Sequence, residues 1–162
     1  MGRLTKISNT DLAYIAGFLD GDGSIMLQIK RRKESPRGFR VMATICLYQD
    51  TRHEKPLAWI RQKFGIGYIS HRRDGITELR VNGYRQVRDI LDLLLPYVRF
   101  KKPQAHAIRR ACGLLIKRNM QKATIRDKEI LCKCLQIIQE HNYATHRKRS
   151  IAELRTAVGL TP

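Results

Sequence analysis

Apolar residues recur along this 162-residue chain with two different periods, and the places where the period changes mark its elements. From Leu12 to Asp20 the spacing is helical. On a wheel of 3.6 residues per turn, Ala13, Ala16, Gly17 and Asp20 form one stripe, Leu12, Ile15 and Leu19 a second, and Tyr14 and Phe18 a third, with no broad solvent face. Ser8 followed by Asp11 is a start signal and opens this helix at about residue 9. After Gly23 the period drops to 2. Ile25, Leu27 and Ile29 alternate with Ser24, Met26, Gln28, Lys30 and Arg32, which predicts a half-buried strand with a polar, basic outer face. The stretch 32–38 turns the chain, and Phe39, Val41, Ala43, Ile45 and Leu47 then alternate with Arg40, Met42, Thr44, Cys46 and Tyr48 in a second strand.

The same two periods repeat downstream. Residues 53–64 read as a helix, with Leu57, Ile60 and Phe64 at helical spacing, Pro56 near the first turn and Gly65 at the end. A shorter hairpin over 67–73 and 76–82 turns at Arg73-Asp74-Gly75, with Ser70, Arg72, Glu78 and Arg80 outward and Ile69, Leu79 and Val81 inward. A helix over about 84–95 buries Val87, Ile90, Leu91 and Leu94 and stops at Pro96. The order is αββαββα, an α+β fold. Beyond Lys101 the chain reads as helical over about 103–119 and 124–141, with a last helix capped by Ser150 and Glu153. We therefore expect a core over 1–100 and a C-terminal helical extension over 101–162 packed on the same domain.

Composition changes this picture in one respect. The chain carries 32 Lys and Arg against 14 Asp and Glu, a net charge of +18. Such an excess in a folded domain is the footprint of a polyanion binder. No apolar run approaches the roughly 18 residues of a spanning helix and no signal peptide is evident, so nucleic acid is the expected partner, with no membrane and no small-molecule substrate. Cys46, Cys112, Cys132 and Cys134 lack the His/Cys spacing of a zinc site and read as reduced thiols in the core of an intracellular protein.

The opening helix ends in Asp20-Gly21-Asp22-Gly23. Small residues at i, i+3 and i+4 admit a second backbone, and the chain holds no second segment of this kind, so the cover is expected from a second copy related by two-fold symmetry. Ala13, Ala16, Gly17 and Asp20 would then form the homodimer interface. Two Asp22 carboxylates would meet at the foot of the seam, where a cation must offset their repulsion, and carboxylates with backbone carbonyls are a ligand set for Mg²⁺. An EF-hand loop fails here, because Arg31 stands where a bidentate Glu is needed.

The outer strand positions carry the second part of the chemistry. Ser24, Gln28, Lys30, Arg32, Arg40, Thr44, Tyr48, Ser70, Arg72 and Arg80, with the lone acid Glu78, supply the groups that bond base edges and neutralise phosphates. A ribbon of about ten residues spans roughly one turn of B-DNA, so one protomer suits one half-site of a long pseudo-palindrome in double-stranded DNA. Met42 and Cys46 on that face suggest apolar contact with a thymine methyl.

The segment Ile15-Ala16-Gly17-Phe18-Leu19-Asp20-Gly21-Asp22-Gly23 resembles the signature of the LAGLIDADG homing endonucleases, and the likeness is greatest to the single-motif, homodimeric, intron-encoded branch. It extends over about the first hundred residues. The resemblance implies a site-specific, Mg²⁺-dependent DNA endonuclease in which Asp22 and the Gly21 carbonyl hold metal, Gln49 orients water and Lys101 stands near the scissile phosphate. Arg52, His53 and Lys55 share the place where the family often has a further basic residue. The rival readings are an RNA-splicing maturase and a non-catalytic nucleic-acid-binding protein. The compartment expected is organellar, or an archaeal or bacterial cytoplasm. The run His146-Arg147-Lys148-Arg149 is a further, weaker candidate for phosphate contact.

Overall fold

The computed structural model describes residues 7–31, 39–118, 120–142 and 148–161. The turn 32–38, and with it Arg32, lies outside the described residues, as do His146 and Arg147. Helix α1 (Asn9–Asp22) runs directly into strand β1 (Gly23–Arg31), which pairs antiparallel with β2 (Phe39–Asp50). A 3₁₀ turn at Thr51–His53 leads to α2 (Lys55–Phe64), and the hairpin β3 (Tyr68–His71) and β4 (Ile76–Asn82) leads to α3 (Tyr84–Leu94). The four strands form one antiparallel sheet in the order β1-β2-β4-β3. The expected αββαββα order is therefore present, followed by α4 (Lys102–Lys117), α5 (Ile125–His141) and α6 (Ile151–Val158).

Local chemistry explains the boundaries. The Ser8 hydroxyl accepts the Asp11 N–H at 3.1 Å, capping α1. Asp11 does not close the capping box; its carboxylate pairs with Lys63 at 2.7 Å and ties the first turn of α1 to α2. Helix α2 starts two residues later than the periodicity predicts, because Asp50 accepts the Arg52 N–H at 2.9 Å and winds residues 51–53 into the 3₁₀ turn instead. Gly65, at φ 65°, ends α2 in the left-handed region that favours glycine. Thr124 with Asp127, and Ser150 with Glu153, form capping boxes that start α5 and α6.

The inner face of the sheet and the helices share one core. Leu12, Ile15 and Leu19 of α1 pack with Ile25, Ile45, Leu79, Ile90 and Leu91, and the same cluster continues into Ile108, Leu135 and Leu154 of the C-terminal helices. Helix α4 packs on α3 and β1, α5 on α4, and α6 on α5. The four cysteines are buried and unbridged. Cys132 and Cys134 point to different neighbours, Arg155 of α6 and Arg110 of α4 respectively, both of which act on the thiols.

One expectation for α1 is corrected. Because the helix packs on β1, β2 and α3 together, its inner arc is wider than the wheel implied. Ala16 is fully buried in the protomer's own core, and Asp20 is half-buried against its own chain. The open stripe is Thr10, Ala13, Tyr14, Gly17 and Gly21. The motif glycines also separate. A Cβ at Gly23 would lie 2.7 Å from the Leu19 carbonyl oxygen, so the helix-to-strand turn requires glycine there; at Gly17 and Gly21 a Cβ would meet nothing within 4 Å.

Candidate active site and nucleic-acid interface

The two motif carboxylates, both in the last turn of α1, have opposite environments. Asp20 is engaged within the chain: its carboxylate accepts the backbone N–H groups of Arg99 (2.7 Å), Phe100 (3.0 Å) and Lys101 (2.9 Å). The Lys101 ammonium in turn donates to the Asp20 carbonyl oxygen. Asp22 is exposed, and among the described residues its carboxylate has no hydrogen-bond or ion-pair partner. It sits at a helix C-terminus with no basic residue in the last turn, where unsatisfied carbonyls already concentrate negative charge. A free carboxylate beside C-terminal carbonyls is an arrangement that a hard cation stabilises.

Lys101 brings the second charge to this place. It is 6% exposed, and burial pushes its pKa below the ordinary lysine value, while Asp20 and then Asp22 pull it back up. The clamp of Asp20 on residues 99–101 therefore delivers a buried ammonium into the field of Asp22. Gln49 is brought in by strand register. Gly23 pairs with Leu47, and Gln49 lies two residues further on, on the same side of β2 as Leu47 and beyond the end of α1. Its Oε1 accepts the Asp50 N–H at 2.9 Å.

The three basic candidates after Gln49 also separate. Arg52 is held on Asp50 by Nε at 3.0 Å and a terminal nitrogen at 2.8 Å, which keeps the Asp50 carboxyl far below the usual range. Lys55 turns toward Thr10, Tyr14 and Trp59, near the start of α1 and away from Asp22. His53 is exposed on the 3₁₀ turn. Among the described residues no group of three or more His, Cys, Asp or Glu could hold a metal ion.

On the outer face of the sheet, register places the candidate reading residues in rows. Gln28 lies beside Met42 and Lys30 beside Arg40, with Gln28, Lys30 and Arg40 exposed. Ser24, Cys46, Arg80 and Tyr68 form a row across all four strands, and Tyr48, Glu78 and Ser70 a row nearer the motif. Three of the expected contact residues are not available at the surface. Thr44 is 2% exposed and donates to the Asn82 Oδ1 at 2.7 Å. Cys46 is fully buried, which pushes its thiol pKa up, so it offers no methyl contact. Glu78 is 5% exposed and bound between Arg80 (2.6 Å) and Arg72 (3.3 Å). The reason is common to all three: they occupy the two middle strands, where neighbouring long side chains close over them.

Two exposed polar residues on this face escaped the sequence reading. Asn82 donates to the Tyr68 hydroxyl at 3.3 Å, and Tyr68 is 49% exposed. The signal existed, because Asn82 follows Glu78 and Arg80 at spacing 2 and Tyr68 precedes Ser70 at the same spacing. Arg149 of the basic run lines a cavity with Met26, Gln28 and Lys30 of β1; Gln139 bonds both its N–H and its carbonyl, and Asn142 donates to the Ile25 carbonyl.

Comparison with known proteins identifies the family. The family model of the LAGLIDADG endonucleases matches residues 15–107, more than half of the chain, from inside α1 to the start of α4. The chain belongs to this family. Among its relatives is DNA endonuclease I-CvuI of Chlorella vulgaris, 33% identical over 96 residues, which span 59% of this chain and 60% of that protein. DNA endonuclease I-CreI of Chlamydomonas reinhardtii is 29% identical over 104 residues, spanning 64% and 63%. Each sequence match thus covers less than two thirds of the relative. The fold likeness is wider: I-CvuI, in the crystal with its target and 2 mM Ca, superposes with a TM-score of 0.78 over 94% of this chain and 97% of that one, at 24% identity. The homing endonuclease I-SmaMI, bound to cleaved DNA, gives 0.71 at 20% identity, over 96% of this chain but 49% of that chain. This LAGLIDADG chain therefore has the extent of half an I-SmaMI molecule.

Proposed function

We propose that this chain is a homodimeric, site-specific endonuclease that cleaves both strands of a long pseudo-palindromic DNA duplex. The observation that carries the reading is the foot of α1, where an exposed Asp22, unpartnered among the described residues, lies in the field of the buried ammonium of Lys101 beside an open stripe of Ala13, Gly17 and Gly21. Among the described residues a Cβ at Gly17 or Gly21 would meet nothing within 4 Å, which supports close approach by a second copy of α1. The half-length match to I-SmaMI supports the same stoichiometry. The family's relatives bound to target or cleaved DNA support duplex DNA as the substrate.

In this reading Asp22 and the Gly21 carbonyl of each protomer would hold Mg²⁺. When bound, the ion supplies positive charge for activating water and stabilising the leaving oxygen. Lys101, fixed by Asp20, faces the developing phosphate charge, and Gln49 uses its remaining amide hydrogens to orient water. Ser24, Gln28, Lys30, Arg40, Tyr48, Ser70 and Arg80 face the groove, joined by Asn82 and Tyr68, while Arg149 flanks the edge strand. We also propose to read 101–162 as an extension that buttresses this core, and an organellar compartment as the site of action.

The test is Asp22→Asn. Binding to a selected target should persist while Mg²⁺-supported cleavage falls by several orders of magnitude. Wild-type protein that binds duplex DNA and never nicks a randomised library would instead identify a non-catalytic binder or a maturase.

A further inference from the structure

The outer face of the sheet holds two arginines near the motif, and their side-chain contacts assign them different tasks. Arg72 spends both terminal nitrogens inside the protein: one donates to Glu78 at 3.3 Å and the other to Asp74 at 2.5 Å. Arg80 is bound differently. Its Nε donates to Glu78 at 2.6 Å, and among the described residues its two terminal nitrogens have no partner. The end-on fork of a guanidinium is the edge that matches the O6 and N7 acceptors of guanine, and it is the commonest specific contact in the major groove. Arg80 keeps that edge open; Arg72 does not.

Glu78 has the features of a holder and not of a reader. It is 5% exposed, and Arg80, then Arg72, keep its carboxyl below the usual range, so it stays ionised at neutral pH. An exposed arginine samples many rotamers and must lose that freedom on binding, whereas one fixed at Nε by a buried carboxylate has lost much of it beforehand. The row that carries Arg80 also contains Ser24, only two residues after Asp22. Strand rise per residue is close to the rise per base pair, so this row lies nearer the centre of the target than the rows of Gln28 and Lys30.

We propose that Arg80 reads a guanine in the inner part of each half-site, and that Glu78 is its positioning residue. This rests on the reading of the sheet as the DNA interface. The target accordingly contains one strongly selected G·C pair per half-site inside the positions that respond to Gln28→Ala. Arg72 contributes no base preference of its own.

The experiment is selection of bound and of cleaved duplexes from a library randomised across the half-site, with wild type, Arg80→Ala, Arg80→Lys, Arg72→Ala and Glu78→Gln. Wild type should prefer that G·C pair by roughly ten- to a hundred-fold. Arg80→Ala should abolish the preference at that pair alone. Arg80→Lys should keep overall affinity within a few-fold while losing most of the preference. Glu78→Gln should weaken the preference to a few-fold and steepen the salt dependence of binding, because two guanidinium groups lose their internal counter-charge. A folded but merely structural Glu78 would leave the base preference unmoved. The proposal is overturned if wild type selects sites with no inner G·C pair, or if Arg80→Ala weakens all sequences equally, as a phosphate contact would. Failure of the wild type to select any duplex is a different result, and overturns the DNA reading of the sheet itself.

Discussion

Asp20 and Asp22 are the same residue type two positions apart, and the difference between them is set by what each carboxylate faces. Asp20 accepts three backbone N–H groups that open α4, each a charge-assisted bond. Replacing it with Ala leaves those donors unpaired, and we expect a loss of about 2–3 kcal/mol in urea unfolding. Cleavage should fall further than stability alone accounts for, because Lys101 loses its anchor. Lys101 has its own pH consequence. Its folded pKa lies below the ordinary lysine value, so burying the ammonium opposes folding at neutral pH. That opposition fades as pH rises through the window between the lowered value and 10.5. On the proposed function, the same window removes the charge that Lys101 presents to the phosphate. The cleavage rate should therefore decline on the alkaline side below 10.5, and Lys101→Arg, which holds its proton, should flatten that limb in a pH–rate profile.

Helix α1 divides its residues three ways: Leu12, Ile15, Ala16 and Leu19 face the core, Asp20 and Asp22 stand at its foot by the proposed site, and Ala13, Gly17 and Gly21 face outward. The outward stripe can be tested without disturbing the others. At Gly17 a side chain has open space in the protomer, and leucine is a better helix former than glycine. Gly17→Leu should leave thermal unfolding of the protomer unchanged or slightly raised while shifting sedimentation from dimer to monomer and abolishing double-strand cleavage. A variant that remains dimeric would remove α1 from the subunit interface. The sheet shows the same division between its faces, with Ile25, Leu27, Val41, Ala43, Ile45 and Leu47 packed inward and the rows around Arg80 and Gln28 outward.

For the whole molecule, the excess of 32 basic over 14 acidic residues governs how it would meet the proposed duplex target. Each phosphate neutralised releases counterions, and a duplex spanning two half-sites offers many. Affinity measured by fluorescence anisotropy should fall by about a thousand-fold or more between roughly 50 and 200 mM salt. A shallow dependence would mean that the basic residues do not track the backbone. Part of the charge is spent internally, since Arg52, Arg72, Arg88 and Arg109 are paired with acids of their own chain. The slope consequently reports the residues that remain, such as Lys30 and Arg40 on the outer rows.

The sequence by itself determined the element order, the inner face of each strand and of α2 and α3, and the division of the motif between apolar helix and carboxylate turn. These follow from periodicity and from caps such as Ser8 and Thr124, which act over a few residues. It also pointed to Asp22 and to the polar face of the sheet. Only the tertiary structure decided that Ala16 belongs to the core, that Asp20 anchors residues 79 and more positions away, and that Thr44, Cys46 and Glu78 are covered on a face whose pattern reads as open. Alternation tells which side of a strand a residue occupies. Whether that side is wet, and which of two neighbouring arginines keeps its fork free, depends on side chains brought alongside from other strands, and register between distant segments is the information a local pattern does not carry.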